Sequence, residues 1–102
     1  MALIPPLSAD QLIDSVACRG ARAMLGISQE EVCKRAQCGR KLLNDFENKI
    51  RIPSPEKISD LRRALEEAGA RFFMTDIGIA VAVHPERASA RSPRARALSS
   101  GF

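Results

Sequence analysis

The side chains best suited to chemistry in this sequence are concentrated between residues 40 and 51. If residues 40–49 form a helix, a rotation of about 100° per residue puts Leu43 and Phe46 together on one apolar face. The opposite face then carries Arg40, Lys41, Asn44, Asp45 and Asn48. Arg and Lys can donate to guanine, Asn can bond adenine through two atoms, and Asp can accept from cytosine. From these residues alone an ordinary solvated helix surface is the simpler interpretation, and the first four are candidate base contacts if the helix lies in a groove of DNA.

The distribution of charge indicates a polyanionic partner more clearly than the total charge does. The 102 residues carry a net charge of +4, and a surplus of this size by itself says little about partners. Residues 34–51 alone hold six basic and two acidic residues, whereas residues 1–84 together reach only +1. Residues 85–102 add a further +3. The basic charge is thus concentrated around the predicted helix 40–49 and in the C-terminal segment.

The sequence predicts a mainly α fold of four helices, a β-hairpin and a disordered tail. Apolar spacing and capping residues predict helices over 8–25, 28–36, 40–49 and 55–68. Strand-like segments on either side of residues 76–78 predict a hairpin over 71–83. Residues 85–102 are rich in Ala, Arg, Ser and Pro with almost nothing to bury, which is typical of disorder. The expected organisation is one domain over 8–84 and a basic disordered tail over 85–102.

Short capping motifs indicate where the predicted helices begin. Ser8 with Gln11 and Ser28 with Glu31 have the spacing of capping boxes, in which each side chain bonds the other residue's backbone amide. Ser54 precedes a proline, which is favoured at the first helical position because its missing N–H does no harm there. The first helix is therefore expected to start at Ser8.

The predicted helices 28–36 and 40–49 are joined by residues 37–39, the spacing of a helix-turn-helix. Residues 22–69 resemble the Cro/repressor-type (XRE-like) helix-turn-helix family. The resemblance rests on LGISQ at residues 25–29, FEN at 46–48, the spacing of Arg51 and Pro53, and a Leu-rich fourth helix closed by Ala-Gly. It implies a repressor-like four-helix domain whose helix 28–36 lies across the DNA backbone while helix 40–49 enters the major groove.

The resemblance also implies roles for residues around the predicted recognition helix. It matches Gln29 to a position that contacts phosphate and steadies the recognition helix, at a helix N-terminus where free amides favour anions. The candidate contacts to the DNA backbone are Gln29, Gly39, Asn48, Lys49 and Arg51. Arg22 and Glu47 match an ion pair that would hold the recognition helix in position.

Two residues of the turn depart from the family pattern. Gln37 stands where the family usually has Gly, so a left-handed backbone there would cost about 1 kcal/mol. Gly39 stands where the family often has Ser or Thr as the cap of the recognition helix, and Gly caps less well by roughly a few tenths of a kcal/mol. These departures affect local geometry more than the fold.

The remaining reactive residues form no recognisable site. Cys18, Cys33 and Cys38 are expected to act as small buried hydrophobes, and their odd number favours a reducing cytoplasm. A zinc site that joins them to His84, or a redox role, is a weaker alternative because zinc ligands usually come in closely spaced pairs. No pattern typical of catalysis or cofactor binding is present, and no apolar stretch is long enough to cross a membrane. The sequence therefore predicts neither an enzyme nor a metal-binding or cofactor-binding protein.

The function predicted from these features is regulation of transcription by binding double-stranded DNA in a sequence-specific manner. Proteins of the resembled type usually bind near-palindromic operators as dimers. Repression is the simplest mechanism, and the hairpin 71–83 is the expected dimer element because an exposed strand edge invites pairing. The alternative is a protein-interaction module, such as an antitoxin or anti-activator, whose hairpin meets a different protein. A steep salt dependence and a marked sequence preference would favour the regulator.

Overall fold

The computed structural model describes residues 4–88, which contain four helices followed by an antiparallel hairpin. The helices are α1 (Ser15–Leu25), α2 (Gln29–Ala36), α3 (Arg40–Glu47) and α4 (Pro55–Ala68), and the strands are β1 (Ala70–Thr75) and β2 (Gly78–Val83). The predicted mainly α fold class is confirmed. A 3-10 turn, Pro85–Arg87, follows the hairpin, so the predicted start of the tail at residue 85 falls within regular structure. Residues 89–102 of the predicted tail lie outside the described residues.

Helix α1 begins at Ser15, so the prediction that it starts at Ser8 is wrong. Asp14 is its N-cap, and the Asp14 carboxylate accepts a hydrogen bond from the Ala17 amide at 2.7 Å. Upstream, the Ser8 amide donates to the Gln11 side chain at 2.8 Å, which is one half of the predicted capping box. That bond closes a turn at residues 9–10 and is not followed by helix.

The side chain of Arg62 in α4 explains the late start of α1. Its guanidinium donates to the backbone carbonyls of Leu7, Ser8 and Gln11 at 2.8, 2.6 and 2.9 Å. In a helix starting at Ser8, the carbonyls of Ser8 and Gln11 would instead accept from amides four residues later. Hydrogen bonds from a charged donor are roughly twice as strong as neutral ones. Three of them therefore hold this segment in a non-helical conformation.

The core lies between the four helices and one face of the hairpin. Its largest fully buried side chains are Val32, Leu43, Leu61, Leu65 and Cys18, which together represent every helix. Strand β1 adds Phe72, and alternate side chains of β2 (Ile79, Val81 and Val83) pack against the same core. The hairpin is therefore part of the domain and contacts both α1 and α4.

Residues 5–7 cover the outer edge of β1. The Leu7 amide donates to the Phe72 carbonyl at 3.0 Å, and the Met74 amide donates to the Pro5 carbonyl at 3.0 Å. On its other side β1 pairs with β2, with Phe73 opposite Ala80. Strand β2 is thus the open edge of this small sheet within residues 4–88.

Helices α2 and α4 begin where the capping residues predict. The Ser28 hydroxyl accepts from the Glu31 amide at 3.1 Å, and the Ser54 hydroxyl accepts from the Lys57 amide at 3.3 Å. Both serines have an extended backbone conformation, which is typical of the residue just before the first helical turn. Among residues 4–88, no helix has both the length and the apolar character that crossing a membrane requires.

Candidate nucleic-acid interface

A tight turn with a left-handed first residue joins α2 to α3. Gln37 has φ 55° and ψ 51°, and the Cys38 amide after it donates to the Cys33 carbonyl at 3.1 Å. Gly adopts this conformation without strain, whereas an L side chain such as that of Gln37 costs about 1 kcal/mol. Gly39 follows as the N-cap of α3, with open space where a side chain would be. The backbone at the start of α3 is therefore accessible from outside.

One face of α3 is buried and the other is exposed, in agreement with the helical pattern of the sequence. Leu43 and Phe46 lie in the core. The exposed side chains of the helix and its C-cap include Arg40, Lys41, Asn44 and Asn48. Three of the four candidate base contacts thus share an accessible surface next to the turn.

The prediction that Asp45 belongs to this exposed surface is wrong. Asp45 is only 6% exposed, and its carboxylate accepts from the Lys41 ammonium at 3.1 Å. The loop after α3 folds back over this residue, because the Asp45 carbonyl accepts from the Ile50 and Arg51 amides at 2.8 and 3.3 Å. The Asp45 carboxylate is therefore not part of the accessible surface next to the turn. Asp45 instead holds Lys41 near the surface of α3.

Arg22 in α1 and Glu47 at the end of α3 are brought together as a two-pronged ion pair. Arg22 Nε lies 2.9 Å from Glu47 Oε2, and Arg22 Nη2 lies 2.9 Å from Glu47 Oε1. The Glu47 side chain is only 2% exposed. The hydrogen bond to Glu47 raises the pKa of Arg22 above its ordinary value. Arg22 also donates to the Ile27 carbonyl at 3.2 Å, so it links α1, the start of α2 and α3.

Gln29 extends this network from Glu47 to the exposed face of α3. Gln29 Nε2 donates to Glu47 Oε1 at 3.1 Å and to Asn44 Oδ1 at 3.4 Å. Asn48 Nδ2 donates to the Asn44 carbonyl at 2.8 Å and to Asn44 Oδ1 at 3.1 Å. The individual partners of Gln29 could not be predicted from local spacing, because residues 29, 44 and 47 meet only when α2 and α3 pack together. The Asn48–Asn44 spacing of four residues is the one signal in the sequence that could have suggested a contact.

Helix α3 ends at Glu47, so the predicted helix 40–49 is two residues too long. Asn48 is the C-cap, and Lys49 is left-handed with φ 60°. The Lys49 amide donates to the Phe46 carbonyl at 3.1 Å and the next amide donates to the Asp45 carbonyl at 2.8 Å, which is a Schellman motif. Gly usually occupies the left-handed position of that motif. The exposed cations of this loop are Lys49 and Arg51.

The region built by α1 to α4 also matches a known family. The helix-turn-helix family model covers residues 19–68, from within α1 to the last residue of α4. Residues 19–68 belong to the Cro/repressor-type helix-turn-helix family. No curated protein matches the chain. The family match supports a role for this helix-turn-helix protein in DNA-binding regulation of transcription.

Two cysteines of this helix-turn-helix protein, Cys18 and Cys33, are buried as expected, whereas Cys38 in the turn is half-buried. Cys18 is fully buried, with its Sγ 3.9 Å from Glu47 Oε2, and burial raises the pKa of the Cys18 thiol to about 12. Burial, followed by a hydrogen bond with Cys38, raises the pKa of the Cys33 thiol to about 12. Both thiols therefore stay neutral and unreactive near pH 7. Within residues 4–88, no group of three His, Cys, Asp or Glu side chains could hold a metal ion.

Proposed function

We propose that this chain represses transcription by binding an operator in a sequence-specific manner with α3 in the major groove. The observation that carries the proposal is the two-sided character of α3. Leu43 and Phe46 anchor the helix in the core, while Arg40, Lys41 and Asn44 project from the opposite face. The major groove of B-DNA, about 12 Å wide, admits an α-helix. In this arrangement α2 lies across the DNA backbone, and an occupied promoter is closed to polymerase.

Arg40, Lys41 and Asn44 are the proposed base contacts. Residues at the N-terminal end of a recognition helix contact base edges, and Arg40 and Lys41 are the first two residues of α3. Both donate hydrogen bonds that suit guanine O6 and N7. The ion pair with Asp45 at 3.1 Å orients Lys41 along the helix surface. Asp45 itself has this supporting role and is not a base contact.

The proposed contacts to the DNA backbone lie around the two ends of α3. Lys49 and Arg51 supply positive charge from the exposed loop after the helix. Gly39 leaves room for a phosphate to approach the amides at the start of α3, where the helix dipole favours an anion. Gln29 is the first residue of α2, so its backbone amide is available in the same way. Both N–H groups of the Asn48 side chain are already donated to Asn44, so Asn48 acts through that residue.

We also propose that the chain acts as a homodimer through the open edge of β2. The backbone N–H and C=O groups of successive strand residues point alternately to the two neighbouring edges of the strand. The Phe72 carbonyl and the Met74 amide point towards residues 5–7, so the backbone groups of Phe73 point towards its partner Ala80. The N–H and C=O groups of Val81, the next residue, therefore point away from β1. The β2 residues with outward-pointing backbone groups are Ile79, Val81 and Val83.

Two copies of β2 can pair antiparallel about a two-fold axis at Val81, which then faces its own counterpart. Ile79 of one copy faces Val83 of the other in this register. The paired edges join two small sheets into one and satisfy the exposed backbone groups. A two-fold dimer of this kind matches a near-palindromic operator, whose half-sites lie about 34–36 Å apart.

Selection of bound sequences from a random pool of double-stranded DNA tests the proposed function. We expect one near-palindromic motif to be enriched and its affinity to fall steeply with salt. Arg40→Ala should change the selected bases, whereas Lys49→Ala should weaken binding to all sequences similarly. Weak retention of all sequences alike would overturn the proposal and favour a protein-interaction module. The hairpin tip, where Ile77 is 94% exposed, is the surface that favours such a module.

A further inference from the structure

The side-chain oxygen of Asn44 accepts two hydrogen bonds from neighbouring side chains. Asn44 Oδ1 accepts from Asn48 Nδ2 at 3.1 Å and from Gln29 Nε2 at 3.4 Å. An amide oxygen has two lone pairs, so these two bonds use its capacity as an acceptor. The groups of Asn44 that remain available at the exposed surface are the two N–H donors of Nδ2.

The orientation of these amides follows from groups that can only accept hydrogen bonds. Both oxygens of the Glu47 carboxylate accept hydrogen bonds from Arg22 and offer no donor, so Gln29 must turn its NH₂ group towards them. The second N–H of that group then points at Asn44. Likewise, Asn48 must turn its NH₂ group towards the Asn44 backbone carbonyl, 2.8 Å away. Because both neighbours present N–H groups, Asn44 must turn its oxygen towards Gln29 and Asn48 and its nitrogen away from them.

We infer that Asn44 selects guanine at the base pair that it reads, and that Gln29 and Asn48 impose this choice as positioning residues. The inference rests on the proposed binding of α3 in the major groove. An asparagine that reads adenine needs its oxygen free to accept from adenine N6, and this oxygen is occupied. Guanine presents two neighbouring acceptors, N7 and O6, to the N–H groups of Asn44 Nδ2. Cytosine presents a donor and thymine a single acceptor, so both match less well.

The operator position read by Asn44 can be located before its preference is measured. In the selection from random DNA, Asn44→Ala should remove the preference at one base pair of each half-site and leave the other positions unchanged. At that position the wild-type chain should prefer guanine over adenine by about fivefold or more, the lower end for a base-specific contact. A wild-type preference for adenine at that position would overturn the inference.

Variants that release the oxygen of Asn44 test the roles of its two neighbours. Asn48→Ala removes the donor to Asn44 Oδ1, which frees one lone pair of that oxygen, and should reduce the preference for guanine over adenine. Adding Gln29→Met, which keeps the length of the side chain but removes its donor, should reverse the preference towards adenine. If the double variant does not fold, as judged by circular dichroism, the comparison between wild type and Asn48→Ala decides, since Asn48 is exposed. An unchanged preference in Asn48→Ala would overturn the inference.

The same selection separates failure of the inference from failure of the proposed function. A wild-type chain that enriches no sequence overturns the proposed function and this inference with it. A wild-type chain that enriches a clear motif, while Asn44→Ala relaxes no position, overturns the inference alone. Lys49→Ala is the matched control, because loss of a loop cation should lower affinity without altering any base preference.

Discussion

Arg22 and Glu47 join two helices that are separated along the chain, with both of their N···O distances at 2.9 Å. Glu47→Ala would leave Arg22 and Gln29 without their common acceptor beside the core. We expect the free energy of unfolding to fall by about 2–4 kcal/mol, because removing one partner of a buried, charged network leaves unpaired donors. Urea denaturation measures this change.

Glu30→Ala is the matched control for this prediction. Glu30 lies on the exposed side of α2 and its carboxylate is 3.9 Å from Lys34. An exposed pair of this kind contributes about 0–1 kcal/mol. If Glu47→Ala is no more destabilising than Glu30→Ala and binds DNA normally, then the ion pair does not hold α3 in place.

Arg62 should be the side chain that attaches the N-terminal segment to the domain. Arg62→Lys keeps the charge but loses the planar fork that reaches three carbonyls at once, so we expect a loss of about 1–3 kcal/mol in stability. Amide hydrogen exchange should accelerate at Leu7 and Met74, whose bonds tie this segment to β1. Arg63→Lys, at an exposed pair with Asp60, should change neither property. Equal effects of the two substitutions would contradict this role.

Gln37→Gly should stabilise the protein, because the left-handed backbone at φ 55° strains an L side chain. We expect a gain of about 1 kcal/mol, which raises the melting temperature of a domain of this size by about 4–8 °C. Gln37→Ala keeps the strain and should give no such gain. Thermal unfolding of the three chains is the measurement, and a melting temperature for Gln37→Gly no higher than that for Gln37→Ala would rule out this explanation.

Lys49 should lower the free energy of unfolding while its cation contributes a contact to DNA. Its left-handed backbone, with φ 60°, predicts that Lys49→Gly raises the free energy of unfolding by about 1 kcal/mol whereas Lys49→Ala does not. Both substitutions remove the same cation, so both should reduce the slope of log affinity against log salt by about 1. Arg63→Ala, on the exposed side of α4, serves as the control for loss of charge. Unchanged salt slopes for both Lys49 variants would exclude a phosphate contact.

Val81→Pro should convert the proposed dimer to a monomer. Proline removes the N–H that points to the open edge of β2, while the bonds between Phe73 and Ala80 inside the hairpin remain. Ile77→Ser at the hairpin tip should leave the dimer intact. Analytical ultracentrifugation of the three chains measures the outcome. A wild-type monomer, or a Val81→Pro dimer of unchanged stability, would exclude pairing through β2.

Several elements of the fold and site could be predicted because their causes are local. Ser28 and Ser54 cap the helices that follow them, since a cap needs only an amide two or three residues away. The buried and exposed faces of α3 follow from the placement of Leu43 and Phe46 one helical turn apart. The family resemblance over residues 22–69 overlaps most of the matched range 19–68.

Tertiary contacts decided what local patterns could not. The capping pattern at Ser8 was outweighed by Arg62, whose bond to Leu7 spans 55 residues of sequence. Asp45 is charged, as most surface residues are, yet the loop after α3 folds over it and buries it. The Asn44 side chain could in principle read adenine, but Gln29 and Asn48 occupy its oxygen. Sequence patterns thus determined that four helices form and that Leu43 and Phe46 are the residues of α3 that face the core. The packing of distant segments decided which hydrogen-bonding atoms on that face remain free, because each atom can satisfy only a limited number of partners.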